Sequence, residues 1–180
     1  MTTIPPEIES LITRVDRLGD KSLLPKAGAS IHRYDAEIEA LFPDGRVVNI
    51  TEFDYGRAYR YQIVLSRDPD AANLDDDALS RALSRLKRIE VLNVALSVLA
   101  KYSLIRYLTY TRQGGEIEET WTDAPVTAGQ REAANRVLGW LSENRFQLVS
   151  NDVASCVVEN VATELCDEGD ATVADCLFFG

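Results

Sequence analysis

The pattern of apolar and polar positions is most regular over residues 74–111, where helical spacing leads into strand-like alternation. Asp75 can cap a helix, and the negative charges of the two acids after it interact favourably with the positive end of the helix dipole. Residues 91–100 are almost all apolar, so they must be covered on several sides. The pattern predicts one long central helix, Ala78–Ala100, whose first apolar stripe comprises Leu79, Leu83, Leu86 and Ile89.

Alternation with a period of two predicts strands in much of the remaining chain. Turn residues at Pro43-Asp44-Gly45 and Gln113-Gly114-Gly115 predict two hairpins, and Asp54-Tyr55-Gly56 predicts a further turn. For the first predicted strand, Tyr34–Phe42, a helix is the alternative. The predicted strands are Tyr34–Phe42, Arg46–Phe53, Ala58–Leu65, Leu104–Thr111 and Glu116–Thr122.

Shorter helices are predicted near both ends of the chain. Apolar positions at helical spacing predict Ile8–Leu18, and a T-x-x-Q capping box beginning at Thr127 predicts Ala128–Leu141. Residues 151–165 fit both a helix and a strand. We favour a short helix near 151–156, followed by a C-terminal hairpin with its turn at 167–170 and its closing strand through Val173, Leu177 and Phe179.

These elements define an α+β fold, in which an antiparallel sheet packs against the long central helix and a second helix. The element order over residues 7–146 resembles that of class I type III secretion chaperones and their relatives. That resemblance implies a small acidic protein that dimerises and holds partly unfolded segments of partner proteins on apolar surface. No functional residue is transferred from it, and Gln147–Gly180 is an extension beyond it.

Length and charge narrow the class of protein. The 180 residues, 46% of them hydrophobic, predict a single globular domain over 1–180, with 147–180 as an acidic extension packed on it. The net charge of −10 argues against nucleic acid as a partner, because phosphate binding needs a basic surface. We expect the basic stretch 81–112 to pair internally with acids. The apolar run 91–100 is too short for a membrane span, and no leader pattern is present, so the expected compartment is the cytoplasm.

Few residues offer catalytic chemistry. His32 is the single histidine, and we interpret it as a surface or strand-edge residue. The chain contains no nucleophile-elbow, P-loop, dinucleotide-binding or zinc-protease motif. The acids of the loop around Asp68 and Asp70 lack the glycine and glutamate of an EF-hand. We therefore expect no enzyme activity, no metal and no cofactor, and we interpret three widely spaced cysteines as buried free thiols: Cys156, Cys166 and Cys176.

Three functional hypotheses follow. The first is a protein-binding module, chaperone-like or adaptor-like, that uses aromatic residues of the strands and could form a homodimer. The second is an immunity protein that blocks a basic toxin or nuclease with acids of the C-terminal turn. The third is a small-molecule-binding enzyme or sensor with its pocket between the sheet and the long helix. The candidate partner-binding residues are Tyr59, Tyr61, Tyr110, Trp121, Asp167, Glu168 and Asp170.

Overall fold

A computed structural model of the chain describes residues 2–26, 29–43, 46–54, 56–72 and 74–179. Its centre is an antiparallel sheet with strand order β1-β2-β3-β4-β5, and a short β6 lies parallel to the start of β4. The predicted turn residues Asp44, Gly45 and Tyr55 lie outside the described residues. The strands are β1 Arg46–Asn49, β2 Ala58–Val64, β3 Arg88–Ser97, β4 Tyr102–Gln113, β5 Glu116–Thr122 and β6 Gln147–Leu148.

Helices surround this sheet, which confirms the α+β class with an antiparallel sheet. Within the described ranges, no helix is both long enough and apolar enough to cross a membrane. The α-helices are α1 Pro6–Ile12, α2 Asp35–Leu41, α3 Asp76–Leu83, α4 Ala128–Glu143 and α5 Asn151–Ala154. Tighter or wider helical turns occur at Thr13–Arg17, Lys21–Leu23, Asp70–Ala72 and Asp175–Phe179.

The prediction of a long central helix over Ala78–Ala100 is wrong. The helix ends at Leu83, and the apolar run that follows is β3, which pairs with β2 on one edge and β4 on the other. Both faces of β3 are covered over most of its length, so most of its residues are apolar and do not alternate with polar ones. A strand buried on both faces and a buried helix therefore present the same continuous apolar run.

The predicted strand Tyr34–Phe42 is also wrong, and the alternative of a helix is confirmed as α2. The buried side chains are Tyr34, Ile38 and Phe42, which recur every fourth residue as a helix requires. The apparent alternation depended on Ala36 and Ala40, which are exposed. The next predicted strand, Arg46–Phe53, is shorter than expected because β1 ends at Asn49.

The C-terminal hairpin is replaced by irregular structure. A turn occurs near Asp170, whose backbone N–H donates to Asp167, but the pairing that follows is a single bridge between Val157 and Thr172. The predicted closing strand is instead the helical turn Asp175–Phe179. The short helix predicted before it is present as α5.

Two of the eight elements that carried the chaperone resemblance, Tyr34–Phe42 and Ala78–Ala100, differ in the structure. The resemblance stays a prediction from sequence.

Helix capping follows the sequence closely. The Asp75 carboxylate accepts a hydrogen bond from the backbone N–H of Ala78 and begins α3. The Thr127 hydroxyl accepts from the N–H of Gln130 and begins α4. The Gln130 side chain then accepts from the N–H of Val126, one residue before the position that the capping-box pattern predicts.

The two faces of the sheet are covered differently. On one face, which we call the α4 face, α2 and α4 bury a continuous aromatic and aliphatic layer. On the opposite face, which we call the α3 face, two separate clusters lie at the two ends of the strands. Helix α3 covers one end, around Val64, Val91 and Leu108. Helix α1 and the C-terminal residues cover the other end, around Ala58, Ala95 and Leu104. The strand positions between these clusters carry polar side chains.

Candidate functional site

The gap on the α3 face is an open cleft whose floor is formed by β2, β3 and β4. Arg60, Asn93 and Arg106 lie there on three neighbouring strands, and Asn93 pairs in register with Arg106. Alternation along each strand places these side chains on the face opposite Tyr61 and Val94. The cleft is lined by Ile50, Arg60, Tyr61, Asn93, Val94, Ala95, Leu104, Arg106, Trp121 and Phe179.

Both arginines lie against one aromatic ring. The Cζ atom of Arg60 is 5.1 Å from the centroid of the Phe179 ring, and the Cζ atom of Arg106 is 5.9 Å from it. Such stacking holds a guanidinium through the negative face of the ring. The C-terminal helical turn, which supplies Phe179, therefore positions both cations at the same wall of the cleft.

The polar groups of the cleft lack partners. The Nε atom of Arg106 and the Nδ2 atom of Asn93 are buried and make no hydrogen bond. Neither Arg60 nor Arg106 forms an ion pair with any carboxylate of the described residues. A buried donor without an acceptor costs free energy, commonly about 1–3 kcal/mol. The cleft thus presents unsatisfied donors and positive charge.

Burial also affects the titration of the first arginine. Desolvation lowers the pKa of the Arg60 guanidinium, and the charge of exposed Glu52 partly opposes this shift. An arginine stays protonated across the accessible pH range, so this shift reports the cost of holding the charge away from water. An anion bound beside Arg60 would reduce that cost.

Trp121 forms the outer rim of the cleft. It lies on β5, paired in register with Leu108 of β4, and 52% of its surface is exposed. The interior of the cleft measures about 70 Å³, and about 390 Å³ when its open mouth is included. A space of this size and openness accepts one functional group of a larger ligand and leaves the rest of that ligand in contact with the rim.

The three tyrosines predicted to contact a partner lie in the core. Tyr59 and Tyr61 belong to the layer under α4, and Tyr110 belongs to the cluster under α3. Burial raises the pKa of Tyr110 to about 12, and it also raises the pKa of Tyr61. In this structure these side chains are not accessible to a partner. Of the four predicted aromatic contact residues, Trp121 is the one at the surface.

The acidic candidates lie apart from the cleft lining. Asp167, Glu168 and Asp170 are exposed residues of the C-terminal turn. Within the described ranges, no group of three histidine, cysteine or acidic side chains could hold a metal ion. The use of these acids against a toxin stays a prediction.

His32 takes part in a small polar network outside the cleft. Its Nδ1 atom lies 2.7 Å from a carboxylate oxygen of Asp35 at the start of α2. The other oxygen of Asp35 accepts hydrogen bonds from Asn49 and from the hydroxyl of Tyr61. This network joins α2 to β1 and β2, which is a structural role consistent with the interpretation of His32 as a surface residue.

The three cysteines are free. Cys176 is buried, and burial raises the pKa of its thiol to about 12. Cys156 and Cys166 are only half-buried, so the prediction of buried free thiols is confirmed for Cys176 alone.

Sequence reasoning missed the three polar residues that define the cleft. In the sequence, Arg60 alternates with apolar positions, a pattern whose polar side normally faces solvent, and Arg106 stands in the same alternating set as Leu104 and Leu108. Asn93 had been taken as an interruption in an apolar helix. The three residues lie on adjacent strands in the middle of the sheet, and that placement could have identified them. It could be recognised only once β3 is assigned as a strand.

Comparison with known proteins adds no further assignment: the chain matches no protein-family model, no curated protein and no solved structure. Fold and site together define an α+β protein with a cationic cleft on one sheet face.

Proposed function

We propose that this chain is a non-enzymatic protein-binding module, chaperone-like or adaptor-like, and that it contacts its partner through the cleft and Trp121. The observation that carries this proposal is a half-exposed tryptophan beside two arginines without ion-pair partners. Tryptophan and arginine are the residue types in which interface binding energy is most often concentrated. The dimensions of the cleft favour a single side chain or terminus of a larger partner.

The neighbouring edge of the sheet supports the same role. β5 ends the strand order, so among the described residues its outer edge pairs with no strand. Such an edge can accept an extended segment of another protein through backbone hydrogen bonds. The acids at Glu116, Glu118 and Glu119 would limit indiscriminate pairing, since charged edge strands resist aggregation. An extended partner segment on β5 would pass Trp121 at the rim of the cleft.

The chemistry of the cleft lining also favours binding over catalysis. The residues that line it include no histidine, cysteine, serine or carboxylate, and the hydroxyl of Tyr61 is engaged by Asp35 on the α4 face. General acid–base or nucleophilic catalysis needs such a group within hydrogen-bond reach of the ligand. Arginines and an amide can instead bind and orient an anionic group.

A small-molecule binding protein is the second candidate. The observation that favours it is the convergence of Arg60, Arg106 and Asn93 in one cleft, which is what a small anionic ligand requires. We place this candidate second because the interior of the cleft, about 70 Å³, would enclose only a small part of a metabolite.

The proposal is tested with Trp121→Ala. Extracts of the native host are passed over the immobilised wild-type chain, and partners recovered in stoichiometric amount are quantified by mass spectrometry. We expect Trp121→Ala to reduce the recovery of such a partner at least about tenfold, because an interface tryptophan commonly contributes 2 kcal/mol or more.

The matched control is Leu165→Ala. Leu165 is 61% exposed and does not line the cleft, so its removal trims a comparable exposed apolar surface elsewhere. Recovery should be unchanged in this control. Equal recovery with Trp121→Ala and wild type, or equal loss in both variants, contradicts the proposed contact surface. Thermal unfolding of each variant establishes that it is folded.

A further inference from the structure

We propose that Arg60, Arg106 and Asn93 form a binding site for a carboxylate group carried by an apolar or aromatic body. The inference deepens the proposed function and rests on it for one point, the source of the carboxylate. That carboxylate belongs to an acidic side chain or a chain terminus of the partner. The site itself can be tested without that partner.

The cleft arginines differ from Arg57, which is the other part-buried arginine of the described residues. Arg57 pairs with Asp16, and the exposed Arg85 pairs with Asp68 and Asp70. The sequence contains 29 acidic residues, so carboxylates are abundant. None of them in the described ranges forms an ion pair with the cations of the cleft.

Two donor atoms of the cleft are buried without acceptors. The buried Nε of Arg106 and the buried Nδ2 of Asn93 lack acceptors, and these two residues are paired in register on adjacent strands. Both atoms are donors, and neither the guanidinium nor the amide nitrogen can accept a hydrogen bond. A ligand that satisfies both atoms must therefore supply acceptors.

The two arginines of the cleft also carry like charges. Both guanidinium groups lie against the ring of Phe179 and carry the same sign, so they repel each other in surroundings partly removed from water. An anion placed between them converts this repulsion into two attractions, and charge-assisted hydrogen bonds of this kind are about twice as strong as neutral ones. A neutral acceptor would satisfy the hydrogen bonds and leave the repulsion in place.

The kind of anion follows from the donors that the cleft offers. Phosphate sites commonly use several free backbone N–H groups at a helix start or a turn. Here the floor consists of paired strands whose N–H groups are engaged in the ladders. The side-chain donors of two guanidinium groups and one amide instead suit the two oxygens of a carboxylate. The ring of Phe179, the indole of Trp121 and the side chain of Ile50 provide apolar contact for the group attached to it.

The test uses 3-phenylpropionate as the carboxylate probe, with 3-phenylpropionamide as its neutral analogue and phenyl phosphate as the alternative anion. The full chain, labelled with nitrogen-15, is titrated with each probe while the arginine Nε–H and tryptophan indole N–H signals are followed by NMR. We expect saturable shifts of the signals of Arg60, Arg106 and Trp121 with the carboxylate, and at least about tenfold weaker binding of the amide.

Variants locate the site. Arg106→Gln should weaken binding of the carboxylate about tenfold or more, because it removes one charge and the buried Nε–H donor. Arg112→Gln is the matched control, since Arg112 is an exposed arginine on the same strand and does not line the cleft. It should bind the probe as the wild type does. If Arg106→Gln does not fold, the comparison of acid and amide on the wild-type chain still decides the question.

Each contrary outcome overturns the inference in a different way. Equal binding of acid and amide would mean that the cleft recognises only the apolar body. Binding of phenyl phosphate without the carboxylate would assign the site to phosphate. No saturable shift with any probe would remove the site altogether. In all three cases the proposed protein-binding function would stand if Trp121→Ala still abolished partner recovery, so the two proposals fail separately.

Discussion

Individual arginines have contrasting surroundings in this protein. Arg57 is almost buried, and its Nη1 atom donates both to the carboxylate of Asp16 and to the carbonyl of Cys176. Arg60, three residues later and also part-buried, has no such partner and faces the cleft. A cation with two acceptors stabilises the packing of the chain, whereas a cation with none is available to a ligand. The difference lies in which elements pack above each side chain.

Asp16 gives a pH-dependent prediction. Burial raises the pKa of this carboxyl above its ordinary 3.8, and the hydrogen bond and charge of Arg57 only partly oppose that shift. The folded chain therefore binds a proton at Asp16 more readily than the unfolded chain does. The stabilising contribution of this group is fully present below pH 3.8 and is lost as the pH rises through the raised pKa. The free energy of unfolding of the wild type, minus that of Asp16→Asn, should fall over this window when measured by urea denaturation at a series of pH values.

Asp20 provides the control of opposite sign. Hydrogen bonds from Ser22 and Arg14 lower the pKa of this exposed carboxyl to about 2. Its contribution is present above the ordinary value of 3.8 and is lost as the pH falls toward 2. The corresponding difference for Asp20→Asn should therefore rise with pH between those values. Parallel curves for the wild type and Asp16→Asn would show that burial does not control the titration of Asp16.

At this scale the sequence predicted residues whose role is local. It identified Asp75 and Thr127 as caps, because neighbours along the chain determine a cap. It could not identify Arg60 and Arg106 as a pair, because 46 positions separate them and only the register of three strands brings them together.

Among the elements, β3 is the one whose hydrophobic pattern does not distinguish a strand from a helix. Leu92, Val94 and Leu96 point to the α4 face, while Ile89 and Val91 point to the cluster under α3. Since both sets are buried, the alternation that identifies a strand disappears. The β-branched residues in the run indicate a strand, but the leucines and alanines among them also fit a helix.

Other elements were predicted well. The strands β2, β4 and β5 and the helix α4 fall close to the predicted ranges. β2 and β4 keep part of their alternation because Arg60, Gln62 and Arg106 are only part-buried, and α4 has a capping residue and one buried stripe. α2 was missed because its exposed alanines imitated alternation. Burial by other elements, which no local pattern contains, therefore accounts for the remaining errors.

The start of α4 gives a prediction for a single element. The Thr127 hydroxyl accepts from the N–H of Gln130 and donates to the carboxylate of Glu90 on β3, so it both caps the helix and ties it to the sheet. Thr127→Ala should lower the free energy of unfolding by about 1 kcal/mol, the usual cost of losing such a cap, in urea denaturation.

Thr127→Ser is the matched variant, because it keeps the hydroxyl and removes only a methyl group. It should retain most of the stability that Thr127→Ala loses. If the serine variant lost as much stability as the alanine variant, the contribution of Thr127 would come from packing of its methyl group and the hydrogen bonds would be unimportant.

Across the whole molecule, the cleft exists because two separate parts of the chain cover the ends of one sheet face. Helix α3 covers one end, and α1 with the C-terminal residues covers the other. Phe178 is fully buried in the second cluster, while the next residue, Phe179, forms the wall against which the arginines stack. The acidic C-terminal segment therefore completes both the core and the site.

The charge of the molecule also shapes how a ligand would bind. The net charge of −10 repels an anionic partner at long range, while the cleft attracts a carboxylate at short range. Long-range repulsion slows the encounter, and contacts formed within the cleft determine how long the complex lasts. Such an arrangement selects partners by local fit and gives little electrostatic steering.

The most direct test of the account is competition between a small carboxylate and the partner protein. A partner captured from the native host on the immobilised chain is washed with 3-phenylpropionate or, in parallel, with the same concentration of 3-phenylpropionamide. The account predicts that the carboxylate releases the partner and that the amide does not. Retention of the partner in both washes, or equal release by both, would contradict the claim that the partner is held through a carboxylate in the cleft of Arg60 and Arg106.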